Sequence, residues 1–593
     1  MFQGLRREYT YITTVARTFW LLRHTRPDAT RTLVDIVEGH AARAPDAPAV
    51  LFQGRTVSYR ALDEGANRFA HWAVGQGVGR GDVVALFLEN CPEYLMAWLG
   101  LLKIGAVAAL INTNLKGAAL AHSIAIVKAR RVITGAELVP ALAEAVLSMT
   151  PAPELWSLGG ASGAFDLDAA LAAASCAAMP LSARDGVTCK DNALFIYTSG
   201  TTGLPKAARF SHSRMLFMMC GFVGALRPGP RDRTYCTLPL YHATGGICSV
   251  GMALMTGGAL IIKRRFSAHE FWDDCRRHRA TFFPYIGELC RYLLNQPPDA
   301  RDGVHELRAI TGNGLRPEIW ALFQKRFRIP RIVEFYGATE GNVAMLNYDG
   351  VVGAVGRIPR YARKAFPVRV VRFDVEHEAP VRGPDGFCIE CDAGEPGEVV
   401  GQITTRPGRP FEGYTDQAGT EKKILRDVFA KGDAWFRTGD LLKRDALGYF
   451  YFVDRVGDTF RWKGENVATS EVAEALGVVS GIEEVNVYGV TVPGRDGRAG
   501  MAALVASHGF DPSRLAHTIA GNLPAFARPL FLRLRPEMEI TGTFKLKKAD
   551  LVKEGFDPDV IADPLYWLDP VDSLYKPLTR ETYAGIVSGA VKL

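Results

Sequence analysis

From Tyr197 to Lys206 the chain reads Tyr-Thr-Ser-Gly-Thr-Thr-Gly-Leu-Pro-Lys, residue types well suited to holding phosphate. Gly200 and Gly203 leave backbone N–H groups open to oxygen atoms and tolerate positive φ. Thr198, Ser199, Thr201 and Thr202 add hydroxyl donors, and Lys206 adds a cation. This is not the Walker pattern, because Pro205 precedes the lysine and no Ser or Thr follows it. The apolar run from Asp191 to Tyr197 predicts a strand feeding the turn.

Further polar groups stand in comparable settings downstream. A strand over Arg331 to Phe335 ends in Tyr336-Gly337-Ala338-Thr339-Glu340-Gly341-Asn342. There a flat ring suits a purine, and a hard cation would take the Glu340 carboxylate together with phosphate oxygens. Gly312-Asn313-Gly314-Leu315-Arg316 lies upstream; Arg437-Thr438-Gly439-Asp440-Leu441, Asp454-Arg455 and Thr541-Gly542-Thr543-Phe544-Lys545 follow. Taken singly, each reads equally well as a surface turn or a solvated basic run. No G-x-S-x-G elbow or triad is evident.

The decapeptide resembles the phosphate-binding signature of the adenylate-forming superfamily, which includes acyl-CoA synthetases, luciferase-like enzymes and adenylation domains, and the later motifs resemble that family in the same order. The resemblance implies roles. Gly312, Asn313 and Gly314 would line an adenine pocket and Tyr336 would stack on the base beside Gly337. Thr339 would touch phosphate, and Glu340 would hold Mg²⁺. Asp440 would accept hydrogen bonds from the ribose, with Arg455 near ribose and phosphate. Thr198, Lys206 and Glu340 join Lys545 as the expected catalytic set. Lys545 is chosen over Lys547 and Lys548 by the match alone. A thiol tunnel would open near Gly464, and His242 would face the acyl group, although a core histidine is an equal reading.

Three stretches resemble the fatty-acid-transport-protein and very-long-chain acyl-CoA synthetase branch: Glu334–Asn342, Asp454–Glu465, and Tyr285–Tyr292, which puts Tyr285 and Gly287 among the expected substrate residues. The implied activity is ATP-dependent ligation of a long-chain or very-long-chain fatty acid to coenzyme A through an acyl-adenylate, releasing pyrophosphate and AMP. An acyl-AMP ligase loading a carrier protein and a membrane fatty-acid uptake protein are the alternatives. Gly457 stands where many relatives carry a charged hinge residue, so rotation of the C-terminal domain stays open to the backbone while a side-chain hinge does not transfer.

To position these residues the chain needs several layered units. With 593 residues, 48% hydrophobic and 22% charged, it exceeds what one core supports. Residues 32–134 alternate helical stretches with short apolar strands such as Val83–Phe87, predicting an α/β unit with a largely parallel sheet. Ala161–Ala178 reads as a surface connection, and a second α/β unit runs to about Met345. Beyond Gly350, short strands between Gly, Pro and Asp turns predict a β-rich subdomain. The expectation is an N-terminal segment (1–31), a large α/β domain of two subdomains plus the β-rich one (32–455), and a small, mobile α+β C-terminal domain (456–593).

A formal charge of +7 is mild and diffuse, with no basic run interleaved with aromatics, so nucleic acid is not expected as a partner. The scattered cysteines, ten in all, read as reduced thiols, and Cys388 and Cys391 lack the second pair that a zinc site needs. No signal peptide is evident. Leu5, Tyr9, Ile12, Ala16 and Phe19 recur at helical spacing among arginines, which predicts an amphipathic helix packed either on the protein's own body or on a membrane. The apolar run Tyr94 to Ile111 reads as a buried helix and strand instead of a span. A cytoplasmic protein, with peripheral membrane association left open, is the expectation.

Overall fold

The computed structural model describes residues 2–198, 204–404, 411–495, 497–539, 546–591 and 593. Two mostly parallel sheets form the large domain. The first places Phe165–Asp166, Glu154–Leu158, Arg131–Gly135, Val83–Phe87, Val107–Leu110 and Asn192–Thr198 side by side, with Lys206–Ser211 returning antiparallel at the edge. Runs such as Val84–Phe87 are buried throughout, as strands covered on both faces must be.

The second sheet holds Arg233–Cys236, Ala259–Ile262, Phe282–Ile286, Ala309–Asn313 and Ile332–Gly337 in parallel. One feature corrects the sequence reading. The strands Pro48–Phe52 and Arg55–Ser58 do not stay with the first unit; their hairpin joins this second sheet, with Leu51 in register with Ile261. The turn is set by Gln53 and Gly54, both at positive φ. Ala161–Ala178 also carries the short strand Phe165–Asp166 and the helix Leu167–Ala173, where a plain connection was expected.

The β-rich subdomain is an antiparallel sheet ordered Ala354–Arg357, Tyr449–Arg455, Ala434–Arg444, Pro396–Gln402 and Val368–Val371, with Ile424–Arg426 paired to the start of Ala434–Arg444. Cys388 and Cys391 are buried free thiols there. A separate core gathers the smaller C-terminal domain, whose sheet runs Ile482–Thr491, Arg498–Ala506, Phe531–Leu534, Leu565–Asp569 and Leu574–Pro577.

The run Tyr94 to Ile111 is a buried helix, Pro92–Lys103, and the strand Val107–Leu110. Lys103, which interrupts it, is 2% exposed and donates to Glu38 at 2.6 Å and Asp63 at 2.8 Å. A buried ammonium persists only when paired in this way. Among the described residues no helix is long and apolar enough to cross a membrane. The N-terminal helix, Phe2–Leu22, packs on the helix His212–Leu226. Thr18 lies so close to Gly224 that a Cβ there would meet its Oγ1 at 2.1 Å, and the Arg17 guanidinium donates to the Gly224 carbonyl at 2.7 Å.

Candidate functional site

Strand Asn192–Thr198 delivers Thr198 to the mouth of the phosphate loop, and Lys206 opens the returning strand in register with it. Ser199, Gly200, Thr201, Thr202 and Gly203 lie outside the described residues. The buried Thr198 hydroxyl makes no hydrogen bond of ordinary geometry among the described residues, as a group reserved for a ligand oxygen would be. Tyr414 stands between Thr198 and Glu340. Its ring has the Lys206 ammonium 5.5 Å from its centroid, and burial, then the Glu340 charge, push its phenol above the ordinary range while the Thr198 hydroxyl pulls the other way. Glu340 faces Lys423 at 4.0 Å, and Lys423 also donates to the Thr438 carbonyl at 3.3 Å. The loop's flanks and Glu340, 142 positions from Thr198, therefore share one neighbourhood.

The turn carrying Glu340 is held from below. Arg214, a buried guanidinium on the helix His212–Leu226, donates to the carbonyls of Thr339 at 2.7 Å, Ala338 at 3.5 Å and Gly341. Desolvation lowers its pKa, opposed by Glu412 and Glu340. Glu412 in turn accepts from the Ser211 backbone at 2.7 Å. Gly341 is obligatory, because a Cβ would sit 2.0 Å from the Phe436 ring.

Tyr336, at the end of strand Ile332–Gly337, donates its hydroxyl to Asp440 at 2.6 Å. Burial, then the Asp440 charge, keep that phenol protonated far above its usual range. Asp440 and Arg455 are partners across the pair Ala434–Arg444 and Tyr449–Arg455, with Arg455 Nε 3.7 Å from the carboxylate. The Asp440 turn is fixed by fully buried Glu398, which takes Arg437 through both oxygens at 2.8–3.1 Å and accepts from Gly439 N at 3.3 Å.

Thr339, Tyr336, Asp440 and Arg455 line a cavity of about 520 Å³. One end is polar, walled by Asn313, Gly314, Tyr336, Gly337, Thr339, Asp440 and Arg455. The other is apolar and aromatic: Phe222, Phe335, Leu346, Tyr348 and Phe366 lead to Val15, Thr18, Phe19 and Leu22 of the N-terminal helix. His242, Ala243 and Thr244 line the middle. His242 precedes a π-helical segment, Ala243–Ser249, an uncommon geometry that recurs at functional sites. Gly245 and Gly246 make it possible, since a Cβ on either would lie 2.1 Å or 2.3 Å from a carbonyl oxygen.

Tyr285, Gly287 and Gly312 stand one layer behind this wall. Tyr285 is fully buried and hydrogen-bonds to Glu334, which also accepts from Leu315 N at 3.0 Å. A Cβ on Gly287 would lie 1.7 Å from the Gly314 carbonyl oxygen, and one on Gly312 2.2 Å from that of Tyr285. The three pack behind the Asn313–Gly314 rim and do not line the cavity. Gly464 is elsewhere: with Lys463 it makes the exposed turn of the hairpin Phe460–Val467, both at positive φ. Lys545 lies outside the described residues.

Sequence reasoning missed Tyr414, Lys423, Arg214 and Glu334. Each acts on a motif from a distant stretch, and no periodicity marks it. The donors around Glu340 suit a magnesium ion shared with phosphate: one carboxylate, only 13% exposed, with hydroxyls near, leaving the remaining ligands to phosphate and water.

Residues 37–414 match the family described as AMP-binding enzyme. The chain is 43% identical over 583 residues to the human long-chain fatty acid transport protein 1, covering 97% of this chain and 90% of that protein. It is 40% identical over 570 residues to mouse long-chain fatty acid transport protein 6, covering 95% and 91%. In fold it resembles ATP-bound MatB from Rhodopseudomonas palustris (TM-score 0.74, 24% identity, 88% and 98% covered) and a Mycobacterium tuberculosis fatty acyl CoA synthetase (TM-score 0.62, 23% identity, 88% and 98% covered). A polar cavity end built from strand ends of the second parallel sheet and the β-rich subdomain, and relatives alike along nearly the whole chain, agree: this protein belongs to the AMP-binding enzyme family, alongside the long-chain fatty acid transport proteins.

Proposed function

We propose that the protein is an AMP-forming fatty acid–CoA ligase acting on long-chain or very-long-chain acids. The observation that carries this reading is the shape of one cavity, whose polar end meets Tyr336, Thr339 and Asp440 and whose opposite arm is lined by aromatic and aliphatic side chains. A nucleotide and an apolar acyl chain fit end to end there.

The first step brings a carboxylate to the α-phosphate of a polyanion, so catalysis rests on cations and oriented donors. Lys206, the Thr198 hydroxyl and the Ser199–Gly203 backbone would hold the phosphates, and Lys545 would bridge carboxylate and α-phosphate. Asp440 and Arg455 would fix the ribose, and Tyr336 the base. Mg²⁺, held by Glu340, would neutralise phosphate charge. The substrate carboxylate displaces pyrophosphate, and the thiol of coenzyme A then displaces AMP, a good leaving group for which positioning matters more than a base. Rotation of the C-terminal domain at Gly457, at positive φ, would exchange Lys545 for a thiol path near Gly464.

AMP release, measured over a series of acids from short to very long chain with CoA or with a phosphopantetheinyl carrier, tests the reading. CoA-dependent AMP release rising with chain length is expected. Release with the carrier alone would assign the acyl-AMP ligase role instead.

A further inference from the structure

The N-terminal helix has two faces with different partners. Tyr11 and Thr14 are buried, and Val15, Thr18 and Leu22 turn toward the cavity. The opposite side carries Leu5, Tyr9, Ile12 and Trp20, each more than half exposed, with Ala16 between them. Phe19 belongs to both: it is 51% exposed, lines the cavity, and lies 6.3 Å from the Phe366 ring across the seam to the β-rich subdomain. An apolar arm thus reaches the surface beside an unpartnered apolar stripe.

Charge around that stripe is basic. Residues 1–31 contain six arginines against Glu8 and Asp28, and Glu8 is already committed to Arg357 at 2.5 Å and Tyr361 at 2.7 Å. Arg6, Arg23 and Arg26 are exposed, and the Arg23 guanidinium stacks 3.7 Å from the Trp20 ring centroid. Exposed Arg360 and Lys364 flank Tyr361 and Phe366 on the far side of the seam. Past the helix end, Arg23, Arg31 and Arg43 rim a second cavity of about 220 Å³ floored by Leu21, Ile36 and Leu216. Aromatics and aliphatics ringed by arginine match the interface of a bilayer with anionic headgroups.

We propose that the N-terminal helix is a lipid-seated portal. Its outer face lies in the surface of an anionic bilayer, and an acyl chain passes from the lipid into the cavity between Phe19 and Phe366. The proposal rests on the ligase reading above and names the lipid surface as the source of that site's substrate.

The test uses the full chain and the variant Leu5→Ser, Ile12→Ser, Trp20→Ser, which leaves every residue lining the 520 Å³ cavity in place. Both are sedimented with vesicles of phosphatidylcholine alone or with about a third phosphatidylserine. AMP release is then followed with one long-chain acid supplied in the vesicles or on cyclodextrin. The wild type should pellet with the phosphatidylserine vesicles only, and the variant about tenfold less. Turnover of vesicle-borne acid should fall about fivefold in the variant, with turnover of cyclodextrin-borne acid within about twofold of wild type. Equal pelleting of the two proteins, or equal loss with both acid supplies, would overturn the portal. Lipid-free self-association that the substitutions abolish would assign the stripe to a second copy and overturn it too. Absence of AMP release under every supply would be a failure of the ligase reading, and pelleting alone would still decide whether the helix meets lipid.

Discussion

The hydroxyl of Tyr336 and the carboxylate of Asp440 meet at 2.6 Å although 104 positions separate them in the chain. The bond ties the end of a parallel strand of the large domain to the β-rich subdomain, and both partners wall the polar end of the cavity. A neutral donor on a charged acceptor is worth about 1.5–3 kcal/mol. Tyr336→Phe keeps the ring but leaves Asp440 less constrained, so the KM for ATP should rise on the order of tenfold with kcat nearly unchanged. Steady-state kinetics at saturating acid and CoA check this. Asp440→Ala should raise the ATP requirement further.

Tyr414 sits between Thr198 and Glu340. Removing its hydroxyl costs the carboxylate one orienting neighbour, an effect of about 1 kcal/mol, or roughly fivefold in adenylate formation. Thioester formation from supplied acyl-adenylate should be unaffected by Tyr414→Phe. Lys545→Ala should show the same split in stronger form, with adenylate formation abolished and the second half-reaction spared. Single-turnover measurement of the two half-reactions separates these outcomes.

Arg214 holds the same turn by its backbone carbonyls. Arg214→Met would strand buried carbonyls of Ala338, Thr339 and Gly341, each costing about 1–3 kcal/mol when unsatisfied. We expect a lowered urea midpoint together with a raised ATP KM. Arg214→Lys keeps the charge but loses the planar fork, so it should restore stability in part and ATP binding less.

Glu334 couples stability to pH. Burial pushes its carboxyl from 4.5 up to about 8, while its bonds to Tyr285 and the Leu315 and Gly314 backbone pull it down. The folded state thus binds a proton that the unfolded chain has released above its own value. Stability contributed this way is complete below the unfolded value and is lost as pH rises toward 8, with a slope approaching 1.4 kcal/mol per pH unit, roughly one proton's worth. Glu334→Gln can hydrogen-bond to the same partners without a charge and should flatten that slope. Urea unfolding at about pH 5, 6.5 and 8 measures it.

Much of this arrangement was legible in the residues. Tyr336, Thr339 and Asp440 sit on strand ends or tight turns rich in glycine, where chemistry leaves a local mark. Tyr414, Lys423 and Arg214 do not: a tyrosine in a loop or an arginine in an apolar helix looks ordinary until the fold brings it under a distant turn. Residues 32–134 read as one unit, yet the hairpin Pro48–Ser58 joins the second sheet, because alternation reveals a strand but not its neighbour. The periodic stripe Leu5, Tyr9, Ile12, Ala16 and Phe19 correctly marked a helix. Its direction was hidden, since the face that packs inward relies on Thr14, Thr18 and the small residue Gly224 for close approach.

In the proposed reaction Thr198, Lys206, Glu340, Asp440 and Lys545 surround one ATP so that a fatty-acid carboxylate can attack its α-phosphate. Exchange of labelled pyrophosphate into ATP, followed without CoA, tests it most directly. The account predicts exchange that needs both a long-chain acid and Mg²⁺, and that Lys545→Ala eliminates. Label entering ATP equally with and without acid, or not entering at all while acyl-CoA still accumulates, would contradict it.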